Sequence, residues 1–205
     1  MSNLTKLPVQ VKSVHLFNHR LDSFYPVIGG VSDKEVQRKI NHTILRTVYA
    51  LMKEQGYFEN ETTTITASYE IKNNQRGILS LSLINYAFSG GAHGLTLIRS
   101  LTFNTETGKL YQLKDLFKPD ADYVARLSML VEEQIRERDI PLLGEFSGIR
   151  PDQDFYIADK SLVLYFQLYE ITPYVYGFPY FPISVYDIQD IIDEKGPLGQ
   201  MLGSF

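Results

Sequence analysis

Between Val36 and Met52 apolar residues recur at spacings of three and four, and on either side of that stretch the period drops to two. A chain that keeps helical time in one segment and strand time in its neighbours has to bury a stripe of helix against a face of sheet. The fold class that follows is α+β, mainly antiparallel sheet with two principal helices. Val36, Ile40, Ile44, Val48, Leu51 and Met52 make the stripe, Ser32-x-x-Glu35 has the form of a capping box ahead of it, and Gly56 closes it.

Strands are predicted at residues 9–17 and 24–28, before the helix. Beyond it, Ile65, Ala67, Tyr69 and Ile71 alternate with polar residues, residues 73–77 have turn chemistry, and Leu79, Leu81 and Leu83 resume the alternation as a hairpin. Leu95, Leu97, Leu101 and Phe103 form a further strand, closed by residues 104–109, and Arg99 shares their parity, so a cation interrupts an apolar face. Tyr123, Val124, Leu127, Leu130, Val131 and Ile135 give the second helix. Residues 144–154 read as loop, and residues 155–157 and 162–168 read as a hairpin around Asp159-Lys160. Residues 169–182 are rich in tyrosine and proline and are predicted as an ordered loop, since proline lacks a ladder donor. A short helix is predicted at residues 184–192, and residues 196–205 are expected to fray. The expected organisation is a β-β-α-β unit in residues 1–75 and an α+β unit in residues 76–205, packed as one compact body.

A chain of 205 residues can bury a core without covalent staples, and this one contains no cysteine, which excludes disulfides, thiolate metal sites and cysteine nucleophiles. The net charge of −4 argues against a phosphate-backbone binder, so no nucleic acid is expected, and a basic partner would suit the surface better. No run reaches the roughly 18 apolar residues of a membrane span. Residues 1–17 lack a basic n-region and an unbroken apolar h-region, so the chain is expected to be cytoplasmic as encoded.

Ser89-Gly90-Gly91-Ala92-His93-Gly94 is the densest glycine cluster, but Leu95 begins a strand rather than a helix, so it offers no phosphate cradle and no cofactor is expected. In Gly144-Glu145-Phe146-Ser147-Gly148 the serine sits one place late for a nucleophile elbow. His15 and His19 have zinc spacing only on a helix; four residues of strand separate them by about 13 Å. No metal site is expected, and His42 reads as solvated. His93 is held in a glycine turn, where function is commoner than in a core. If the chain is an enzyme, His93 and Glu170 are its acid–base candidates for a hydrolase acting on glycans or esters. The aromatics from Tyr169 onward serve either as a ligand surface or as sheet packing. Gly90, Gly91, His93, Arg99, Tyr169, Glu170, Tyr174 and Tyr176 are the candidate binding residues. No complete catalytic constellation appears, so the leading expectation is a non-enzymatic binding module, ahead of a hydrolase and of a structural or oligomerisation protein.

Three blocks add to this reading: YAFSGGAHG at residues 86–94, TGKLYQLKDLF at residues 107–117 and LYFQLYEITPY at residues 164–174. Together they resemble a bacterial pair of domains of unknown function. That pair is similar to the extracytoplasmic sensor domain of RsiV-type anti-sigma factors and to the non-catalytic segment of PdaC-like deacetylases, over residues 9–193. The resemblance implies a small N-terminal unit followed by one likened to an actin-like ATPase subdomain without its nucleotide chemistry. RsiV-type members bind lysozyme, a basic protein, outside the membrane, so the resemblance implies a lysozyme-like protein or a cell-wall glycan as partner. Signalling and deacetylation are not expected to carry over.

Overall fold

A computed structural model describes residues 8–203, which divide into two compact units between Leu110 and Tyr111. In the first, strands β1 (Gln10–Asn18), β2 (Leu21–Gly29), β3 (Thr64–Gln75), β4 (Ile78–Phe88) and β5 (Leu95–Asn104) form one sheet in the order β1-β2-β3-β4-β5. Helix α1 (Lys34–Glu54) buries its predicted stripe in a cluster with Leu21, Ile65, Ala67, Leu81, Leu83, Leu101 and Phe103. Its N-cap is Asp33 rather than Ser32: an Asp33 carboxylate oxygen accepts from Glu35 N at 2.8 Å and Val36 N at 3.4 Å, so the expected capping box does not form.

All neighbouring strands run antiparallel except β2 and β3, which α1 joins as a parallel pair. That pairing lasts only from Leu21↔Ile65 to Ser23↔Ala67. Beyond it β2 carries Pro26, which has no N–H to offer a neighbour. Arg20 O accepts from Ile65 N at 2.8 Å, so the even-numbered backbone groups of this segment face β3, and Pro26 shares that phase. Ile28, two places further on, is fully buried, and its N–H and C=O both meet the Asn41 side chain of α1, at 2.8 and 3.0 Å. A carboxamide from the helix therefore stands in for the missing strand. Earlier on β2, burial pushes the Tyr25 hydroxyl above its ordinary range, with Tyr49 adding to the effect.

The expected division after residue 75 falls in the β3–β4 turn, where Arg76 and Gly77 both have left-handed backbone (φ 56° and 75°) between the paired residues Gln75 and Ile78. Two successive left-handed residues match the twist of the flanking strands and bind them into one hairpin, so no unit boundary can lie there. β5 ends as predicted: Asn104 Oδ1 accepts from Glu106 N and Thr107 N, both at 2.9 Å.

In the second unit, α2 (Tyr123–Glu137) is capped by Asp122 and buries Leu127, Val131 and Ile135. Strands β6 (Phe155–Ala158), β7 (Ser161–Tyr165) and β8 (Tyr180–Ser184) form a sheet in the order β6-β7-β8. The end of the proline-rich segment is thus strand, not loop. Proline is tolerated because β8 is an edge: Phe166 N donates to Pro179 O at 3.3 Å, which by alternation turns the backbone of Tyr180 and Pro182 away from β7. Their outward carbonyls are taken by α2, Arg138 Nη1 donating to Tyr180 O at 2.7 Å and Gln134 Nε2 to Pro182 O at 2.9 Å. The edge is covered and cannot add another strand there.

The predicted helix at residues 184–192 is replaced by turns, with Ile191 N bonded to Ile188 O at 3.1 Å. The carbonyl of Asp187, which that helix would need, accepts from Arg126 Nη2 at 2.9 Å, and Asp190 O accepts from Lys118 Nζ at 2.7 Å. Nor do residues 196–203 fray, since Leu198 and Met201 are fully buried; residues 204–205 lie outside the described residues. Among the described residues no helix is long and apolar enough to cross a membrane.

Candidate recognition loop

Residues 166–179 link β7 to β8 and carry the aromatics singled out from the sequence. They are anchored by apolar rings at the base, where buried Phe166 meets Phe181 edge-on with centroids 5.6 Å apart. Next, Glu170 N donates to Gln167 O at 3.1 Å, and Gln167 N donates back to Glu170 Oε2 at 2.7 Å. This reciprocal pair closes a tight turn with Tyr169 at its corner in left-handed backbone, φ 65°. For a residue with a Cβ that conformation costs about 1–2 kcal/mol.

Glu170 also receives Arg150 Nη1 on its other oxygen, and Gln153 Nε2 approaches the same atom at 3.5 Å while bonding Tyr165 O at 2.8 Å. Gln167 Nε2 reaches Asp154 Oδ2 at 2.9 Å. The turn is therefore pinned to residues 150–154 by a polar network. Beyond it, Leu143 N donates to Ile171 O at 2.9 Å, and Gly177, φ 81°, reverses the chain after a single helical turn at Tyr174–Tyr176. What this scaffold holds outward is apolar and phenolic: Val175 is 92% exposed, Tyr169 is 49% exposed against Tyr174 with centroids 5.4 Å apart, and Tyr176 and Leu143 are exposed as well. Such large, stiff contact surfaces with polar tips suit recognition more than proton transfer.

The remaining candidates lie in the first unit. Gly90 and Gly91 are exposed, with φ of 92° and 101°, and a side chain at either would meet nothing within 4 Å. Backbone conformation, not space, calls for glycine there. His93 is exposed, with Nδ1 3.0 Å from Gly94 O. Arg99, the parity break in β5, donates Nη2 to both carboxylate oxygens of Glu54 near the end of α1, at 2.9 and 3.1 Å. Its charge thus ties helix to sheet at their partly exposed margin.

His93 and Glu170 fall in different units, and Glu170 has both oxygens engaged within its own. A carboxylate held in this way ties the turn to Arg150 and to the backbone of Gln167. His15 lies on β1 with Nε2 2.8 Å from Asp22 Oδ1, His19 sits in the β1–β2 turn, and His42 is exposed on α1. Among the described residues no three His, Asp or Glu side chains gather as a metal site. Sequence reading missed Val175, Leu143, Arg150 and Gln153. Val175 had a local signal, an aliphatic residue between two tyrosines in a segment bounded by Pro173 and Gly177; the other three act through contacts distant in sequence.

Two family descriptions match successive parts of the chain: "Deacetylase PdaC" over residues 17–96 and "Protein of unknown function (DUF3298)" over residues 114–186. The peptidoglycan-N-acetylmuramic acid deacetylase PdaC of Bacillus subtilis is 24% identical over 192 residues, covering 87% of this chain and 40% of that protein. The anti-sigma-V factor RsiV of the same organism is 30% identical over 188 residues, covering 84% of this chain and 65% of that protein. The chain thus spans less than two thirds of the length of either relative. Among solved structures, a DUF3298 family protein from Pseudomonas aeruginosa has the same fold over 100% of both chains, with a TM-score of 0.73 at 12% identity. A second, from Bacteroides fragilis, covers 94% of both chains with a TM-score of 0.67 at 15% identity. The two segments, matched in this order on an α+β fold, make the chain an RsiV/PdaC-like domain pair of unknown function.

Proposed function

We propose that the chain is a non-enzymatic recognition module and that the loop around Tyr169–Tyr176 is its contact surface for a basic, lysozyme-like protein. The observation that carries this reading is Tyr169. A tyrosine occupies a left-handed corner where glycine would relieve strain, and its ring is turned to solvent rather than into the core. An exposed aromatic kept at a cost to stability gains its value from a partner. The net charge of −4 favours encounter with a cation-rich protein, and the likeness to an anti-sigma factor is consistent with a sensing role.

The test is calorimetric titration of the chain with lysozyme, and separately with soluble peptidoglycan fragments. One-to-one binding to lysozyme is expected, weakened tenfold or more by Val175→Lys and by Tyr169→Gly. The same Tyr169→Gly change is expected to raise unfolding stability by about 1 kcal/mol, from the relieved backbone strain. Lysozyme binding that is absent, or indifferent to both substitutions, contradicts the proposal. Binding to the fragments alone would reassign the module to glycan.

A further inference from the structure

Ser23 of β2 lies opposite Ala67 of β3, and Ala67 lies opposite Asn85 of β4, so the three share one row and one face of the sheet. That face is the one α1 covers, since Ala67 packs in the cluster that holds the helix stripe. Ser23 and Ala67 lack the bulk to fill the layer, and a cavity of about 10 Å³ remains among these three, Leu83 of β4, and Val48 and Leu51 of the helix. Its wall is not apolar throughout. Ser23 is 1% exposed, and its Oγ meets no hydrogen-bond partner among the described residues. Asn85, 2% exposed on the β4 side, gives its Nδ2 to Oε1 of Gln55, just past the end of α1. Gln55 Nε2 in turn donates to Leu95 O of β5 at 2.7 Å. A polar chain thus runs from β5 by way of the helix end to Asn85, and the Ser23 hydroxyl stands across the cavity from it.

We propose that this cavity is a binding site for one water molecule, bonded to Ser23 Oγ and to the carboxamide oxygen of Asn85. The volume is that of about one water-sized sphere, so nothing larger enters. A buried water needs roughly two to four polar partners, and cavities that stay dry are lined by apolar groups alone. Here Ser23 Oγ is one partner, and the oxygen of Asn85 is the carboxamide atom left to accept once Nδ2 is spent on Gln55. The water answers a need of the fold as well. The parallel pairing of β2 with β3 ends at Ser23↔Ala67, and at that point the water carries a hydrogen-bonded link from β2 over Ala67 to β4. It completes a chain from Ser23 through Asn85 and Gln55 to Leu95.

High-resolution diffraction from crystals of the chain is expected to show an ordered water within about 3.2 Å of Ser23 Oγ. Ser23→Ala supplies a second readout whose sign separates a hydrated cavity from a dry one. With the water in place, the substitution removes one of its partners and shifts the denaturation midpoint down. In a dry cavity the same substitution deletes an orphaned hydroxyl and shifts the midpoint up. A cavity without density, a Ser23 Oγ rotated onto a protein carbonyl, or a Ser23→Ala midpoint that is unchanged or raised overturns the proposal.

Discussion

Asn41→Ala is expected to lower the unfolding free energy by about 3 kcal/mol, because two buried backbone groups lose their partners in one step. Ile28 is 1% exposed, and both its N–H and its C=O are satisfied by the Asn41 carboxamide, at 2.8 and 3.0 Å. β3 cannot replace that side chain, since its pairing with β2 has already ended at Ser23↔Ala67. Truncation leaves a donor and an acceptor facing methyl groups, at about 1–3 kcal/mol each. Chemical denaturation reads the loss as a lower midpoint with an unchanged slope. Asn41→Asp should fare little better, because a carboxylate accepts from Ile28 N but has no hydrogen for Ile28 O. A variant within 0.5 kcal/mol of the parent would show that β2 finds another partner after it leaves β3.

Gly94→Ala is expected to cost about 3 kcal/mol for a different reason. A Cβ at Gly94 would sit 2.4 Å from Ala87 O and 2.5 Å from the Tyr86 ring. The ring is partly exposed and can swing aside, but Ala87 is backbone in β4, paired with Leu95 of β5, so the strands themselves must part. Overpacking of this kind costs about 1–3 kcal/mol, and here the end of the β4–β5 hairpin opens with it. Gly91→Ala, by contrast, meets empty space and bears only the strain of a left-handed backbone. Denaturation midpoints ordered Gly94→Ala well below Gly91→Ala would establish that one glycine of the cluster is there for close approach and the other for conformation. The reverse order would refute that division of roles.

Much of the fold was legible wherever periodicity alone decides. The stripe from Val36 to Met52 and the alternation from Ile65 to Tyr69 each depend on one local face, and both stand where the spacing put them; Ile71 is exposed instead, beside the register shift between Ile71 and Asn73. What was illegible depends on partners far along the chain. Choosing Asp33 over Ser32 as the cap needs the entry angle of the helix. Recognising Pro182 as an edge residue needs Gln134 and Arg138 of α2. The helix expected at residues 184–192 fails where Arg126, 61 positions earlier, draws on the Asp187 carbonyl that such a helix would use. At the candidate site, parity marked Arg99 as unusual without revealing Glu54, 45 positions earlier. Tyr169, Glu170, Tyr174 and Tyr176 were visible as a composition. The left-handed corner that turns one of them outward, and the Arg150 network that holds it, were not.

The most direct test of the recognition reading is amide hydrogen exchange on the chain, alone and saturated with lysozyme. Slower exchange confined to residues 169–177 and to the neighbouring segment around Leu143 is the expected result. Uniform exchange in both samples, or protection that leaves residues 169–177 untouched, would contradict the account.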